Sequence, residues 1–201
     1  MNMRITGVVL AGGTSSRLGQ DKGRLTFGAS GVDMVTRTAR LLRRVVPDVL
    51  IIGREHGEFP YLHDDVPGAG PVGAVTTALR HTRSACFVIS CDLPFMDAAT
   101  LTLLRDARRK RRPETMATAF IHEDTGRREH LAAIYELSAL QFFEPRLRDN
   151  LLKIAWIVPE WLYTLVPVPA DAGGKFFNIN RPEDLRRAEK TLAGLSGWGC
   201  E

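Results

Sequence analysis

The chain begins its first apolar run at Ile5 and passes from Val8-Val9-Leu10-Ala11 straight into Gly12-Gly13-Thr14-Ser15-Ser16-Arg17-Leu18-Gly19-Gln20-Asp21-Lys22. A buried strand that ends in adjacent glycines brings backbone N–H groups up to a polyphosphate with no Cβ in the way, and Arg17 and Lys22 supply positive charge beside it. The spacing excludes the two commonest nucleotide loops. Gly13 and Gly19 are followed by Gln20 instead of a Lys-Ser/Thr pair, and the loop holds no Gly-x-Gly-x-x-Gly.

The pattern beyond the loop predicts a wound α/β chain. Val32, Val35, Ala39, Leu42 and Val46 recur at helical spacing, and Val49 to Ile52 reads as a buried strand, which completes a βαβ unit. Residues 53–70 read as a loop, after which Pro71 suits a first helical position with Val72, Val75 and Leu79 facing inward. The strand Cys86 to Ser90 follows, and Asp97 caps a helix carrying Leu101 and Leu104 that Arg112-Pro113 breaks. Thr115 to Ile121 and Leu131 to Tyr135 read as strands of an antiparallel hairpin joined by His122 to Glu129. Ser138 caps a helix through Phe143 that Pro145 interrupts, Thr164 to Val168 is a last strand, and Pro182 opens a terminal helix ending around Leu195. The fold expected is a three-layer α/β/α, Rossmann-like arrangement with a mixed, mostly parallel sheet and substrates at the carboxyl ends of its strands.

At 201 residues and 44% hydrophobic, the chain has the core for a single domain spanning 1–201. Its three cysteines, Cys86, Cys91 and Cys200, are odd in number and form no Cys-x-x-Cys pair, which argues against a disulfide framework or structural zinc and for a reducing cytoplasm. No run approaches the ~20 apolar residues of a membrane span, so no membrane partner is expected. The net charge of +4 suits phosphate-rich ligands, and no nucleic-acid module accompanies it. The densest cationic run, Arg105 to Arg112, reads either as a solvated face that complements a helix dipole or as a docking patch for an acidic partner.

Four segments in order carry a resemblance. They are Leu10-Ala11-Gly12-Gly13 with Arg17 and Asp21-Lys22, then Gly70-Pro71 with Gly73, then Ser90-Cys91-Asp92-Leu93-Pro94-Phe95, and last Phe176-Phe177-Asn178-Ile179-Asn180-Arg181-Pro182-Glu183-Asp184-Leu185. Together they resemble the molybdenum cofactor guanylyltransferase family of nucleotidyltransferases. The resemblance implies Mg²⁺-dependent transfer of GMP from GTP to molybdenum-bound molybdopterin with release of pyrophosphate, and transient docking with cofactor-delivery or acceptor proteins. Rival readings are a cytidylyltransferase using CTP, transfer to another phosphorylated acceptor, and a non-catalytic nucleotide- or cofactor-binding protein.

By the same resemblance, residues 1–111 form a nucleotide-binding half and 112–201 an acceptor-binding half. Leu10, Ala11, Gly12 and Gly13 meet the base and phosphates, Lys22 and Arg17 neutralise the reacting phosphates, and Asp65 contacts the nucleotide. Asp92 ends a strand and faces the crevice, where it reads as a magnesium ligand or as the closure of an Asx turn before Pro94; the resemblance favours the ligand and adds Asn180. Asn178, Asn180, Arg181 and His130 fall at or near acceptor positions. The chain departs from the family in having Leu131 after His130, Arg181 after Asn180, and Ala74 after the Gly-Pro pair.

Overall fold

The computed structural model describes residues 4–12, 25–26 and 31–196, with side chains up to residue 192. Seven strands form one sheet in the order β3-β2-β1-β4-β6-β5-β7. They are β1 (Ile5–Leu10), β2 (Val49–Ile52), β3 (Tyr61–Leu62), β4 (Ala85–Ser90), β5 (Ala117–His122), β6 (Arg127–Tyr135) and β7 (Tyr163–Pro167). β6 runs antiparallel to both β4 and β5, and the other neighbours are parallel. The sheet is thus mixed and mostly parallel.

Helices cover both faces, which explains why β1 reads as a continuous apolar run with no polar alternation. Val9 of β1 and Ala11 just beyond it, with Phe87 and Ile89 of β4, pack under α1 (Met34–Arg43) and α3 (Ala98–Arg109). Val8 and Leu10, with Cys86 and Val88, pack under α2 (Gly70–Thr82) and α4 (Leu140–Arg148). α5 (Pro182–Ser196) joins the α1 side, where Met34, Ile179 and Ala188 are buried together. The chain steps from β1 outward to β2 and then returns past β1 to β4. Right-handed crossovers in opposite directions put α1 and α2 on opposite faces and open a crevice at the carboxyl ends of β1 and β4.

Local chemistry fixes the helix starts. Asp33 caps α1, accepting from the Thr36 amide and hydroxyl at 2.8 Å each and from His56 Nε2 at 2.6 Å. Burial pushes the Asp33 carboxyl up, but these bonds outweigh it and hold its pKa below the ordinary value. Asp97 caps α3 by accepting from the Thr100 amide at 2.8 Å, as the sequence predicts.

Three expectations are corrected. The stretch 53–70 holds β3, whose two residues are too few for any periodicity to announce them. The hairpin is tighter than predicted, because pairing continues to His122 and Arg127 and only Glu123 to Gly126 turn the chain. Pro145 lies inside α4, not at a break, and Ser138 belongs to a preceding 3-10 turn, Leu137–Ala139, without capping anything. The carbonyl that Pro145 leaves without its helical donor belongs to Gln141, an exposed residue that water can serve.

The basic run at the end of α3 is divided: Arg109, Lys110 and Arg112 are exposed, as a solvated face would be, but Arg108 and Arg111 are turned inward. Arg108 is 3% exposed and forks onto Glu136, with Nε to Oε1 at 2.7 Å and Nη2 to Oε2 at 2.9 Å. Arg111 adds Nε at 3.0 Å from Oε1 and Nη2 donating to Oε2 at 3.2 Å. Arg112 donates to the Trp161 carbonyl at 2.7 Å. Neither the solvated face nor the docking patch describes Arg108 and Arg111, because the Glu136 carboxylate beyond β6 draws them into the interior. Glu136→Ala would leave two buried guanidinium groups without their carboxylate, and should cost about 3–5 kcal/mol of stability. Glu58→Ala, which removes the half-exposed partner lying 3.2 Å from Arg40, should cost under ~1 kcal/mol. Urea denaturation of both variants beside the parent chain measures the difference, and equal losses would show that the Glu136 cluster is not the stronger anchor.

Candidate active site

Where β1 and β4 end, the crevice widens into a cleft of about 610 Å³. Leu10, Ala11 and Gly12 form one wall, Gly53, Arg54 and Asp64 a second, Gly68, Gly70, Pro71 and Ala74 a third, and Ser90 and Leu131 complete it. The first two walls touch. The Ala11 amide donates to the Ile52 carbonyl at 2.9 Å, and a Cβ on Gly53 would fall 2.6 Å from the Gly12 nitrogen. With φ +119 as well, position 53 accepts only glycine.

Asp64 lies over this contact, its Oδ2 3.3 Å from where a Cβ on Gly12 would stand. Its Oδ1 is buried with no hydrogen-bond partner among the described residues. Burial first, and the charge of Asp65 second, raise the Asp64 carboxyl above its ordinary pKa, partly countered by His63. Asp65, the residue the sequence suggested for nucleotide contact, points elsewhere. Its amide donates to Thr77 Oγ1 at 3.0 Å, and its carboxylate meets His81 Nε2 at 3.1 Å and lies 3.7 Å from Arg80. Asp65 therefore pins the loop onto α2, and its neighbour Asp64 enters the cleft.

α2 begins at the cleft with Pro in its first turn and no side-chain cap. Its amide donors there are open to a ligand acceptor. Gly68-Ala69-Gly70-Pro71-Val72-Gly73 has the glycine spacing of a dinucleotide loop, a signal the sequence reading passed over. It follows irregular chain instead of a strand, and Pro71 lacks an N–H, so it is a wall of this cleft and not a Rossmann turn.

Asp92 stands two residues past β4. Its carbonyl accepts from the Ile179 amide at 2.9 Å, which ties the β4 loop to the segment 178–180 and brings Asn180 beside it in the chain. Asp184 fixes that segment from the far side, accepting from the Asn180 amide at 3.0 Å and the Arg181 amide at 2.8 Å. Asn178 donates through Nδ2 to the Phe176 carbonyl at 3.3 Å. Among the described residues, no three His, Cys, Asp or Glu side chains gather as a metal cluster. One carboxylate with an amide oxygen nearby is an oxygen-only donor set, which fits magnesium completed by water and phosphate oxygens and does not fit zinc.

His130 sits behind the cleft. Its carbonyl accepts from Tyr135 Oη at 2.9 Å and its Nδ1 lies 3.4 Å from Tyr163 Oη. Burial, with Arg128 adding to it, pushes its pKa down to about 4, so it is neutral at pH 7 and supplies no charge to an anion. From this strand Leu131 reaches the cleft. Gly13, Arg17 and Lys22 lie outside the described residues. Gly53, Arg54, Asp64 and Gly68 are the lining residues that sequence reasoning missed.

Residues 7–154 match the MobA-like NTP transferase domain family. A probable molybdenum cofactor guanylyltransferase of Opitutus terrae is 32% identical, over 94% of this chain and 96% of its own length. The molybdenum cofactor guanylyltransferase of Rhizobium leguminosarum bv. trifolii is 30% identical, over 95% and 94%. The crystal structure of molybdopterin-guanine dinucleotide biosynthesis protein A from Archaeoglobus fulgidus superimposes with a TM-score of 0.77 at 25% identity, covering 94% of this chain and 99% of that one. With the wound sheet and the cleft at its switch point, these matches identify the chain as a member of the MobA-like NTP transferase family.

Proposed function

We propose that the chain transfers GMP from GTP to the phosphate of molybdenum-bound molybdopterin in the cytoplasm, forming a guanine dinucleotide cofactor and pyrophosphate. The supporting observation is a cleft with a half-buried carboxylate over the Gly12 backbone, in a chain 30–32% identical to two guanylyltransferases over nearly their whole lengths. In the reaction an oxygen of the acceptor phosphate attacks the α-phosphorus of GTP. The bond from that phosphorus to the bridging oxygen breaks, and the electron pair leaves with pyrophosphate. The attacking phosphate is already anionic near neutral pH, its second pKa being about 6, so no general base is required.

Residues 1–111 hold the nucleotide and 112–201 the acceptor. Asp64 accepts from the guanine N1–H and amino group, and the backbone of Leu10 to Gly13 brackets the base and phosphates. A carboxylate is acceptor-only, which matches the two adjacent donors of guanine and opposes the N3 and O2 acceptors of cytosine. Asp65 is a positioning residue. Lys22 and Arg17 meet the α-phosphate and the leaving pyrophosphate as a point charge and a planar fork. Asp92 and Asn180 would hold Mg²⁺, which supplies charge neutralisation on the phosphates. Asn178 and Arg181 present the acceptor side of the same corner. His130 contributes as a neutral wall behind Leu131.

Replacing Asp92 by Asn should lower kcat at least ~10²-fold while the circular dichroism spectrum is kept, the scale of losing one electrostatic stabiliser. A folded variant that releases pyrophosphate at the parent rate with Mg²⁺ present would remove Asp92 from the metal site.

Asp64→Asn should narrow the preference for GTP over CTP, measured as the ratio of kcat/KM, by about tenfold, the scale of one mismatched buried hydrogen bond. Asp65→Asn should leave the ratio within about twofold, because its carboxylate faces α2. If both substitutions move the ratio equally, Asp64 does not read the base.

A further inference from the structure

Asp33 does more than cap α1. A cap needs one acceptor for the Thr36 amide, which Asp33 Oδ1 provides at 2.8 Å. The same oxygen accepts from His56 Nε2 at 2.6 Å, across 23 residues of chain. With side chains 13% and 26% exposed, His56 and Asp33 are shielded from the solvent that weakens most surface pairs. Three segments meet at this contact. His56 belongs to the turn that follows Gly53 and Arg54 of the cleft wall, and its backbone pairs with that of buried Phe59. Asp33, at the start of α1, pairs through its backbone with Thr26, and the Met34 amide donates to the Leu25 carbonyl at 2.9 Å. Leu25 and Thr26 follow the glycine-rich loop in the chain, with Lys22 three residues before Leu25.

The two sides of the junction are held differently. The cleft wall has anchors of its own, because the Gly53 amide donates to the Leu62 carbonyl at 2.8 Å and the Ala11 amide to the Ile52 carbonyl at 2.9 Å. Among the described residues, the backbone of Leu25 and Thr26 pairs only with Asp33 and Met34. We infer that Asp33 and His56 are positioning residues, a clamp that sets the chain after the glycine-rich loop at a fixed place against the wall of the nucleotide cleft. The inference rests on the proposed transferase reading, in which the wall seats the base and Lys22 meets the α-phosphate. A cation and the phosphorus it serves must agree closely in place, since a misplacement of about 1 Å can cost ~10²-fold in rate. Neither Asp33 nor His56 lines the cleft, so both act through the segments that they join.

Three substitutions separate the clamp from the cap. Asp33→Ser keeps a capping oxygen for the Thr36 amide but is too short to reach His56. His56→Ala removes the other half, and His56→Gln restores an N–H donor at nearly the same reach. Calorimetric titration of the full chain with guanosine and with GTP reads the clamp without any turnover. Guanosine affinity should stay within about twofold of the parent in all three variants. GTP affinity should fall about tenfold in Asp33→Ser and in His56→Ala, the scale of one charged hydrogen bond to the phosphates, and His56→Gln should recover most of it. The double variant should be no worse than either single one, because each alone already opens the clamp. Pyrophosphate release at saturating GTP should drop about tenfold in the same two single variants. Parent-like GTP affinity in both would overturn the clamp, as would an equal loss of guanosine and GTP affinity or a His56→Gln variant as impaired as His56→Ala. A parent chain that binds GTP more tightly than guanosine but releases no pyrophosphate would sink the transferase reading, and the ratio of the two affinities would still test the clamp.

Discussion

The backbone of Gly53 rests against that of Gly12, and the geometry of the nucleotide cleft follows from this contact. The Ala11 amide is bonded to Ile52 and the Gly53 amide to the Leu62 carbonyl at 2.8 Å, so the ends of β1, β2 and β3 are locked in one register. Asp64 comes two residues after β3. The pairing of Ile52 with Leu62 therefore sets where that carboxylate lands, and the absence of a side chain at 53 lets it land over Gly12. A strand of two residues adds little stability of its own. Its function here is to fix a register.

The other side of the crevice repeats the device with different parts. The Ile179 amide on the Asp92 carbonyl joins segments 87 residues apart in the chain, and Asp184 then holds the later segment by two amides from the first turn of α5. The first anchor is a backbone bond that holds whatever side chains the two loops carry, and the second depends on the Asp184 carboxylate. The same arrangement brings Phe95 and Phe177, one from each loop, together on the α5 side.

Much of this was legible in the residues. β1, β2 and β4 are buried on both faces and announce themselves as apolar runs, and Asp97 and Pro71 mark helix starts whose chemistry is local. What failed was non-local. Which member of Asp64-Asp65 enters the cleft depends on Thr77, Arg80 and His81, two to three turns along a helix that begins five residues later. Pro145 reads as a helix breaker until the exposure of Gln141 is known. Arg108 and Arg111 read as surface cations because Glu136, which draws them inside, lies on a different strand end. For Asp65 and for Arg108 the deciding partner lies on another element, and for Pro145 it is the exposure of a residue four positions away.

That last burial bears on the chemistry. The chain carries a net charge of +4, yet its densest run of arginines is held at the far end of α3, turned to Glu136, Trp161 and the Val45 carbonyl. Among the described residues, Arg54 is the one cation lining the nucleotide cleft, and Asp64 brings a negative charge to the same walls. A triphosphate adds several more negative charges to a site already disfavouring its own carboxylate. Such a ligand needs cations from outside these walls, which on the proposed reading Arg17, Lys22 and a divalent ion at Asp92 would supply. On that reading the walls of the cleft recognise the base, and the charge needed for the phosphates comes from Arg17, Lys22 and the metal. A ligand with the base but no phosphates would depend on Asp64 and the backbone of Leu10 to Gly12 alone, which separates recognition from transfer within one site.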